Sequence, residues 1–299
     1  MSQRPVVVVG DLGVDVVVRA GAVPSRGGDT PSLIDQTVGG AGGNSASWLA
    51  AYAVPVVLVA RVGDDPAGRL VRDDLERSGV SGVLAVDPTR PTCTVVSVVE
   101  PGGERSMLSD RGASGALVPG DIDLDAALAA VPPGVLGVPH LHLSGFVLLS
   151  ESSRAAGRYA LAEARRRGWS TSVDPQASNL VVKAGGSTFL EWVRGTDLLL
   201  PNAAELDALG GIEAALASAT EVVVTRGADG AGWVTRDEDW SVRAERVEVV
   251  DTTGCGDAFN AGLLAAWCAG ASRQYALRVG VGAGALAASQ VGSRPLRDG

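Results

Sequence analysis

Runs rich in apolar residues alternate with amphipathic stretches along most of this chain. The runs predict strands buried on both faces of a sheet, at residues 5–10, 55–60, 140–145, 170–174, 197–202 and 221–227. Helical patterns lie between and after them, at residues 44–53 with Asn44 as the N-cap, and at 65–79, 151–168, 256–270 and 272–290. This alternation is typical of repeated βα units. It predicts an α/β fold with a central, mostly parallel sheet and helices on both faces.

Two regions interrupt this alternation. Residues 14–20 and 30–38 read as strands where a helix should follow the first buried strand. Residues 92–100 and 104–110, joined by the turn 101–103, read as a β-hairpin in which several apolar and polar positions alternate. We therefore expect a small β-sheet, formed within about 14–38 and 92–110 and inserted into a single domain that spans 1–299. Such a sheet could act as a lid.

The motif DTTGCGDAFNAG, residues 251–262, carries the strongest chemical signal. The preceding VEVV reads as a strand and the residues after the glycines as a helix, so Gly254, Cys255 and Gly256 fall at a helix N-terminus. Free backbone N–H groups at such a terminus favour an anion. Asp257 stands beside them, and a carboxylate there can take a proton from an attacking hydroxyl. An N-capping aspartate after a glycine turn explains this motif equally well, and Cys255 is either a low-pKa thiol or a small residue filling a tight place.

Two motifs predict a substrate site. Residues 39–46, GGAGGNSA, form a second glycine-rich turn before a helix, in which the backbone of Gly40, Ala41, Gly42 and Gly43 and the amide of Asn44 could approach a small polar ligand. A tight turn capped by the asparagine is the structural alternative. Asp15 follows the first predicted strand, where two carboxylate oxygens could hold two sugar hydroxyls, although a surface turn favours aspartate as well.

Two further motifs predict a nucleotide site. Asn202 and Glu205 have the spacing of a helix capping box, and through water they could also support Mg²⁺ and phosphates. Thr225, Gly227 and Gly230 lie where a strand ends, which suits either a nucleotide-phosphate turn or a hairpin turn.

The chain has two histidines, His140 and His142, on one face of a predicted strand. Two histidines with no cysteine or third histidine nearby are weak evidence for a metal site. We favour a buried pair whose ring nitrogens are hydrogen-bonded.

Composition excludes several classes of function. The net charge of −9 provides no basic face for nucleic acid, and no uninterrupted apolar run is long enough to cross a membrane. The N-terminal apolar run is too short for a secretion signal, which predicts a cytoplasmic protein. Lys183 is the single lysine among 25 basic residues, and no Gly-Lys dipeptide exists, so a nucleotide cannot be bound by a P-loop.

The motifs GDLGVD, GGAGGNSA, PNAAE, TRGADG and DTTGCGDAFNAG, taken in this order, resemble the ribokinase-like (PfkB) carbohydrate kinase family. The resemblance implies a ribokinase-like fold, with ATP and Mg²⁺ as cofactors. It implies that Asp257 is the catalytic base and that Gly254, Cys255 and Gly256 form the anion hole. By the same resemblance, Asp15 and residues 40–44 hold the substrate. Residues 225–230 line the nucleotide, and Asn202 and Glu205 support Mg²⁺. Asp251 and Thr253 lie near a candidate K⁺ site.

The activity implied by this resemblance is phosphoryl transfer from ATP to a primary hydroxyl of a small sugar or sugar-like molecule. A nucleoside kinase of the same fold and a sensor without catalysis are the alternatives. The predicted lid strands contain no aromatic side chain that could stack on a base, which favours a sugar. An intact Asp257 argues against a sensor, because a protein that only binds needs no base. Pairing of the lids of two chains would cover exposed strand edges, so we expect a homodimer.

Overall fold

The computed structural model describes residues 4–23, 27–100 and 105–296. Within these ranges the strands are β1 (Val6–Val9), β2 (Gly13–Ala20), β3 (Ser32–Gly39), β4 (Val56–Gly63), β5 (Ser81–Asp87), β6 (Cys93–Val99), β7 (Arg105–Asp110), β8 (His140–Ser144), β9 (Ser170–Asp174), β10 (Thr196–Leu199), β11 (Ala219–Thr225), β12 (Ala231–Val234) and β13 (Asp239–Val242). The helices are α1 (Ala41–Ala51), α2 (Pro66–Arg77), α3 (Leu124–Ala129), α4 (Phe146–Leu149), α5 (Arg154–Arg166), α6 (Ser178–Ala184), α7 (Gly186–Trp192), α8 (Ala203–Ala208), α9 (Ile212–Leu216), α10 (Cys255–Cys268) and α11 (Arg273–Ala288).

Nine strands form the central sheet, in the order β13-β12-β11-β10-β9-β8-β1-β4-β5. Neighbouring strands from β11 to β5 run parallel, and β12 and β13 add an antiparallel edge. An apolar cluster lies on each face, one against α1, α10 and α11 and the other against α5 and its neighbours. The predicted α/β fold is confirmed, because strands buried on both faces need helices on both sides.

The small sheet has four strands in the order β3-β2-β6-β7. It pairs β2 with β3 and β6 with β7 in antiparallel fashion and joins the two pairs by a parallel β2–β6 ladder. The four strands extend beyond the predicted ranges by at most one residue, since β2 begins at Gly13 and β3 ends at Gly39. The predicted turn 101–103 lies outside the described residues.

Two local predictions were wrong, and part of the central sheet was not predicted. Helix α1 begins at Ala41, with Gly40 as its N-cap at φ 87°, so 41–43 are helical and Asn44 is not the cap. The carbonyl oxygen of Asp11 accepts the N–H of Gly43 at 2.9 Å, so the backbone takes the place of a capping side chain. The stretch before Asp251 is not a strand, and Val249 there is 62% exposed. Strand β5 was not predicted.

No helix in the described part of the chain is long and apolar enough to cross a membrane.

Candidate active site

The N-terminus of α10 places one carboxylate at the carboxyl end of the central sheet. Gly254 caps this helix in the left-handed region at φ 75°, and a Cβ atom there would lie 2.7 Å from the carbonyl oxygen of Ser293. Only glycine fits both constraints. Asp257 follows in the first helical turn and is 9% exposed, so the turn brings a buried carboxylate close to the free amides of the helix terminus.

Helix α1 orients this carboxylate. Asn44 Nδ2 donates to Asp257 Oδ2 at 3.0 Å, and Ser45 Oγ donates to Oδ1 at 3.3 Å. Burial raises the pKa of Asp257 to about 6, and the hydrogen bonds from Asn44, Gln176 and Ser45 oppose that rise. A carboxylate with this pKa is ionised at neutral pH and basic enough to take a proton.

The C-terminal residues Ser293 and Arg294 hold Asn44 in place, and no local pattern predicted this role for them. Asn44 Oδ1 accepts hydrogen bonds from Ser293 Oγ and from Arg294 Nε, both at 3.1 Å. Arg294 also donates to Ser47 and forms an ion pair with Asp74 at 2.8 Å. With two donors facing its oxygen, the amide of Asn44 must turn its nitrogen toward Asp257.

A cavity of about 200 Å³ lies directly beside Asp257. Asp174, Gln176 and Asn260 line it with Gly254 and Gly256, and sequence analysis missed the first three. Asp174 accepts a hydrogen bond from Asn260 Nδ2 at 2.7 Å and from Gln176 Nε2 at 3.0 Å. Burial raises the pKa of Asp174 well above its usual value, and the carboxylates of Glu205 and Asp257 add to the rise.

Asn202 and Glu205 line the same cavity and also form the predicted capping box. The Glu205 carboxylate accepts the backbone N–H of Asn202 at 2.9 Å, and Asn202 Oδ1 accepts the backbone N–H of Glu205 at 2.9 Å. Burial raises the pKa of Glu205. The structural and the functional interpretations of this motif are therefore compatible, because the cap holds two oxygen-bearing side chains at the cavity wall.

A second cavity, of about 500 Å³, lies on the other side of the helix terminus. The turn Gly227–Asp229 and Gly230 form one wall, which also leads into the hairpin of β11 and β12. Apolar side chains dominate the rest of the lining: Val247, Val249, Phe259, Val281, Ala285 and Ala288. Thr225 and Gly256 line both cavities, so the two spaces meet at the N-terminus of α10.

Cys255 differs in two ways from what the sequence suggested. Its backbone N–H donates to the carbonyl oxygen of Thr252 at 3.3 Å, whereas Gly254 and Gly256 line the cavity beside Asp257. Burial raises the pKa of the Cys255 thiol, and the nearby carboxylates of Asp251 and Asp257 add to the rise. The helix terminus therefore does not activate this thiol.

Asp251 and Thr253 form a compact turn before α10. Asp251 Oδ1 accepts both the backbone N–H and the hydroxyl of Thr253, at 2.9 and 2.7 Å, and Oδ2 accepts the N–H of Gly292 at 3.2 Å. This carboxylate ties the start of α10 to the C-terminal segment.

Asp15 was predicted to follow the first strand directly. It lies instead in β2 of the small sheet. A Cβ atom on Gly39 would lie 2.1 Å from its Oδ2, so the glycine makes room for this carboxylate. Burial raises the pKa of Asp15, and Arg294 opposes the rise. The residue that does follow β1 is Asp11, which pairs with Arg111 at 2.6 Å.

The histidines form the predicted buried pair, except that Nε2 of His142 has no hydrogen-bond partner among the described residues. His140 and His142 are both buried and hydrogen-bonded to serines of β9. No cluster of metal-ligating side chains occurs within residues 4–23, 27–100 and 105–296.

Comparison with known proteins decides the family. Residues 3–298 match the model of the pfkB family carbohydrate kinases. The chain belongs to the PfkB family. It is 31% identical over 293 residues to the ATP-dependent ribose-1-phosphate kinase of Halopiger xanaduensis, an alignment that covers 95% of this chain and 92% of that protein. The enzyme class predicted from the sequence, a carbohydrate kinase, is confirmed.

Solved structures of PfkB-like kinases have the same fold. Adenosine kinase from Sinorhizobium meliloti superposes with a TM-score of 0.84 at 26% identity, covering 99% of this chain and 97% of that one. A candidate ribokinase II from E. coli, in complex with ATP and Mg²⁺, gives a TM-score of 0.82 at 25% identity and covers 97% and 94%. The predicted ribokinase-like architecture with a separate small sheet is confirmed.

Proposed function

We propose that this PfkB kinase transfers the γ-phosphoryl group of ATP to a primary hydroxyl of a small sugar, with Asp257 as the general base. One observation carries the proposal. Asp257 is a buried carboxylate whose pKa is raised to about 6, and it stands where a helix N-terminus separates two cavities. Phosphoryl transfer to a hydroxyl requires a base for the hydroxyl proton and an adjacent site for the negative charge, and this arrangement provides both.

The protein groups would act in one step. The acceptor oxygen would bond to the γ-phosphorus as the bond from this phosphorus to the bridging oxygen breaks and ADP leaves. Asp257 would take the hydroxyl proton, and Asn44 and Ser45 hold the carboxylate in the orientation to receive it. The amides at Gly254 and Gly256 face the charge that develops on the transferred group. The proton leaves Asp257 after the product departs.

The lining of the smaller cavity suits Mg²⁺. The donors there are carboxylate and amide oxygens from Asp174, Asn202 and Glu205, and Mg²⁺ prefers oxygen ligands and keeps several waters. Bound at this wall, Mg²⁺ would supply charge neutralisation for the phosphates. The capping box holds Asn202 and Glu205 ready for that contact.

We place the nucleotide in the cavity of about 500 Å³. Its apolar side chains suit a purine ring, and its glycine turn at 227–230 allows close approach of phosphates. The Halopiger relative is an ATP-dependent kinase and the E. coli neighbour is a complex with ATP and Mg²⁺, which supports a nucleotide site in this protein. The turn of Asp251 and Thr253 remains our candidate K⁺ site.

We assign the acceptor to the side of Asp257 that faces 40–44 and Asp15. The small sheet would act as the lid over this side and exclude water, which would otherwise compete as the acceptor. Its exposed apolar side chains, Leu33, Ile34, Met107 and Leu108, suit a homodimer formed through the same sheet.

A nucleoside is the second candidate acceptor, supported by the likeness to the S. meliloti adenosine kinase. Strands β2, β3, β6 and β7 contain no aromatic side chain for base stacking. We therefore rank sugars first.

The test is ADP release from ATP and Mg²⁺ with a panel of pentoses, hexoses, sugar phosphates, sugar acids and nucleosides, each with and without K⁺. We expect one sugar-type acceptor to turn over and Asp257→Asn to lower kcat by about 100-fold or more. Asp73→Asn is the matched control, because Asp73 is an exposed aspartate on α2. Near-normal turnover of Asp257→Asn would refute the role of Asp257 as the general base. A nucleoside as the preferred acceptor would refute the assignment of a sugar as the substrate.

A further inference from the structure

Six polar side chains share one face of β8 and β9, and the reaction proposed above uses only one of them. The parallel register pairs His140 with Ser170, His142 with Ser172 and Ser144 with Asp174. Side chains two positions apart on a strand point the same way, so these six side chains form one row, which we call the polar seam. It runs through the core from the amino edge of the sheet to Asp174 at the cavity beside Asp257.

Hydrogen bonds connect the first part of the seam. Arg4 donates to Ser170 Oγ, and Ser170 Oγ contacts His140 Nδ1 at 2.9 Å. Ser172 Oγ then bridges the two imidazoles, at 2.7 Å from His140 Nε2 and 2.8 Å from His142 Nδ1. The chain is therefore continuous from Arg4 to His142.

The number of protons available fixes which group donates in each hydrogen bond from Arg4 to His142. Arg4 can only donate, so Ser170 Oγ accepts from it and has its own proton available for His140 Nδ1. His140 then carries its proton on Nε2 and donates to Ser172 Oγ, whose single proton goes to His142 Nδ1. Both rings are buried and burial lowers both pKa values, that of His142 to about 4, so each ring carries one proton at neutral pH. The proton of His142 must then be on Nε2.

If the hydrogen bonds ran in the opposite direction, one hydroxyl proton would have no acceptor inside the seam. If His142 Nδ1 donated to Ser172, then His140 Nδ1 would donate to Ser170 Oγ, which already accepts from Arg4. The hydroxyl proton of Ser170 would then have no acceptor inside the seam and would have to turn to solvent at this partly exposed end. The forward order gives every contact from Arg4 to His142 Nδ1 one donor and one acceptor inside the seam.

The chain ends on two buried atoms that have no partner among the described residues, His142 Nε2 and Ser144 Oγ. Their residues lie two positions apart on one face of β8, and such positions are about 7 Å apart along a strand. This separation is long for a direct hydrogen bond and suits one bridging water. A buried polar group without a partner costs about 1–3 kcal/mol, and internal waters commonly satisfy such groups.

We propose that the polar seam is a one-way hydrogen-bonded chain that Arg4 orders and that ends on a water molecule bound between His142 Nε2 and Ser144 Oγ. Both imidazoles are in the Nε2–H form. The seam lies beneath α10, whose Asn260 bonds to Asp174 and whose Trp267 packs edge-on against His140 with ring centroids 5.3 Å apart. The ordered chain therefore supports the helix that carries Asp257.

Nitrogen NMR of protein labelled with ¹⁵N-histidine tests the proposal without any activity assay. The chain has two histidines, so the spectrum contains two imidazoles. We expect both in the Nε2–H form at pH 7, with a water cross-peak to the Hε2 proton of His142. An Nδ1–H form of either ring would overturn the direction, and a missing water cross-peak would overturn the water site.

Two substitutions test the order within the chain. Ser172→Ala removes the bridge, so we expect His142 to become a mixture of both tautomers. Thr171→Val is the matched control, because it removes a buried hydroxyl of β9 that bonds to Asp197 outside the seam. An unchanged spectrum in Ser172→Ala would overturn the proposal. If that variant does not fold, Arg4→Met at the partly exposed end serves instead, and a fully retained Nε2–H form there would overturn the ordering by Arg4.

Discussion

Asn44 donates a hydrogen bond to the carboxylate of Asp257 across a separation of 213 positions in the chain. The contact joins the first turns of α1 and α10, whose N-termini meet at the carboxyl end of the sheet. Because Ser293 and Arg294 fix the amide of Asn44, this bond orients the carboxylate of Asp257 and partly offsets the rise in its pKa that burial causes.

We predict that kcat/KM falls at acidic pH with an apparent pKa of about 6, the raised pKa of Asp257 in the free protein. A base must be unprotonated to act, so activity is present above that pH and declines as the pH drops through it. Removing the Asn44 amide takes away a donor that stabilises the ionised form. Asn44→Ala should therefore raise this pKa and move the acid limb of the kcat/KM profile to higher pH.

The matched control for this prediction is Asn179→Ala, on an exposed position of α6. Its acid limb should coincide with that of the unaltered protein. An acid limb that does not move in Asn44→Ala would show that Asn44 does not tune the base.

The close approach of α1 to β1 leads to a second prediction. A Cβ atom on Gly42 would lie 2.7 Å from the Cα atom of Gly10, and backbone cannot move away cheaply. Gly42→Ala should lower the free energy of unfolding by about 1–3 kcal/mol, the usual cost of overpacking. It should also lower kcat, because the displaced helix carries Asn44.

Gly282→Ala is the control, since a Cβ atom at this position of α11 would meet no atom within 4 Å. Alanine favours a helix interior, so this variant should gain up to about 1 kcal/mol. Denaturant unfolding of both proteins measures the difference. Equal stabilities would mean that α1 can move away from β1 at no cost.

The sequence predicted the central sheet because apolar runs and helical periodicity are local signals. It also located Asp257 and the capping box of Asn202 and Glu205, since helix starts have local signatures. Arg294 escaped prediction because its partners, Asn44 and Asp74, lie more than two hundred positions away in the chain. Asp174 escaped because a strand-end aspartate becomes part of the site only when α10 packs across it.

The start of α1 shows why a local signal can mislead. Asparagine is a preferred N-cap, and the motif GGAGGNSA places one before an apolar stretch. The helix instead begins three residues earlier, because Gly40 adopts a positive φ and the Asp11 carbonyl accepts the N–H of Gly43. Because Asn44 does not cap the helix, its side chain is available to contact Asp257.

The apolar wall of the larger cavity gives a third prediction. Ala285 lines that cavity on α11, so Ala285→Phe should occupy the space assigned to the purine. We expect the KM for ATP to rise about tenfold or more with a smaller change in kcat, because the substitution removes binding and leaves Asp257 untouched. Initial rates at varied ATP concentration measure it.

Leu286→Phe is the control for this substitution, since Leu286 is 54% exposed on the same helix. Its KM for ATP should stay unchanged. A normal KM for ATP in Ala285→Phe would show that the nucleotide does not bind in this cavity.

The last prediction concerns stability and pH at His142. Burial lowers the pKa of His142 from 6.5 to about 4, whereas the unfolded chain keeps the ordinary value. Between these values the unfolded state binds the proton first, so this histidine lowers the free energy of unfolding as the pH falls from 6.5 to 4. Above pH 6.5 its titration contributes nothing, and below 4 the loss is complete.

Comparison with His142→Gln isolates this effect. Asp257 has a raised pKa and acts in the opposite sense over the same pH range, but it is present in both proteins and its contribution cancels. Glutamine does not titrate, so the unfolding free energy of the unaltered protein minus that of the variant should decrease by about 3 kcal/mol between pH 6.5 and 4. Urea unfolding at half-unit pH steps measures this difference. A difference that stays constant with pH would refute the prediction, because it would mean that His142 titrates alike in the folded and unfolded chains.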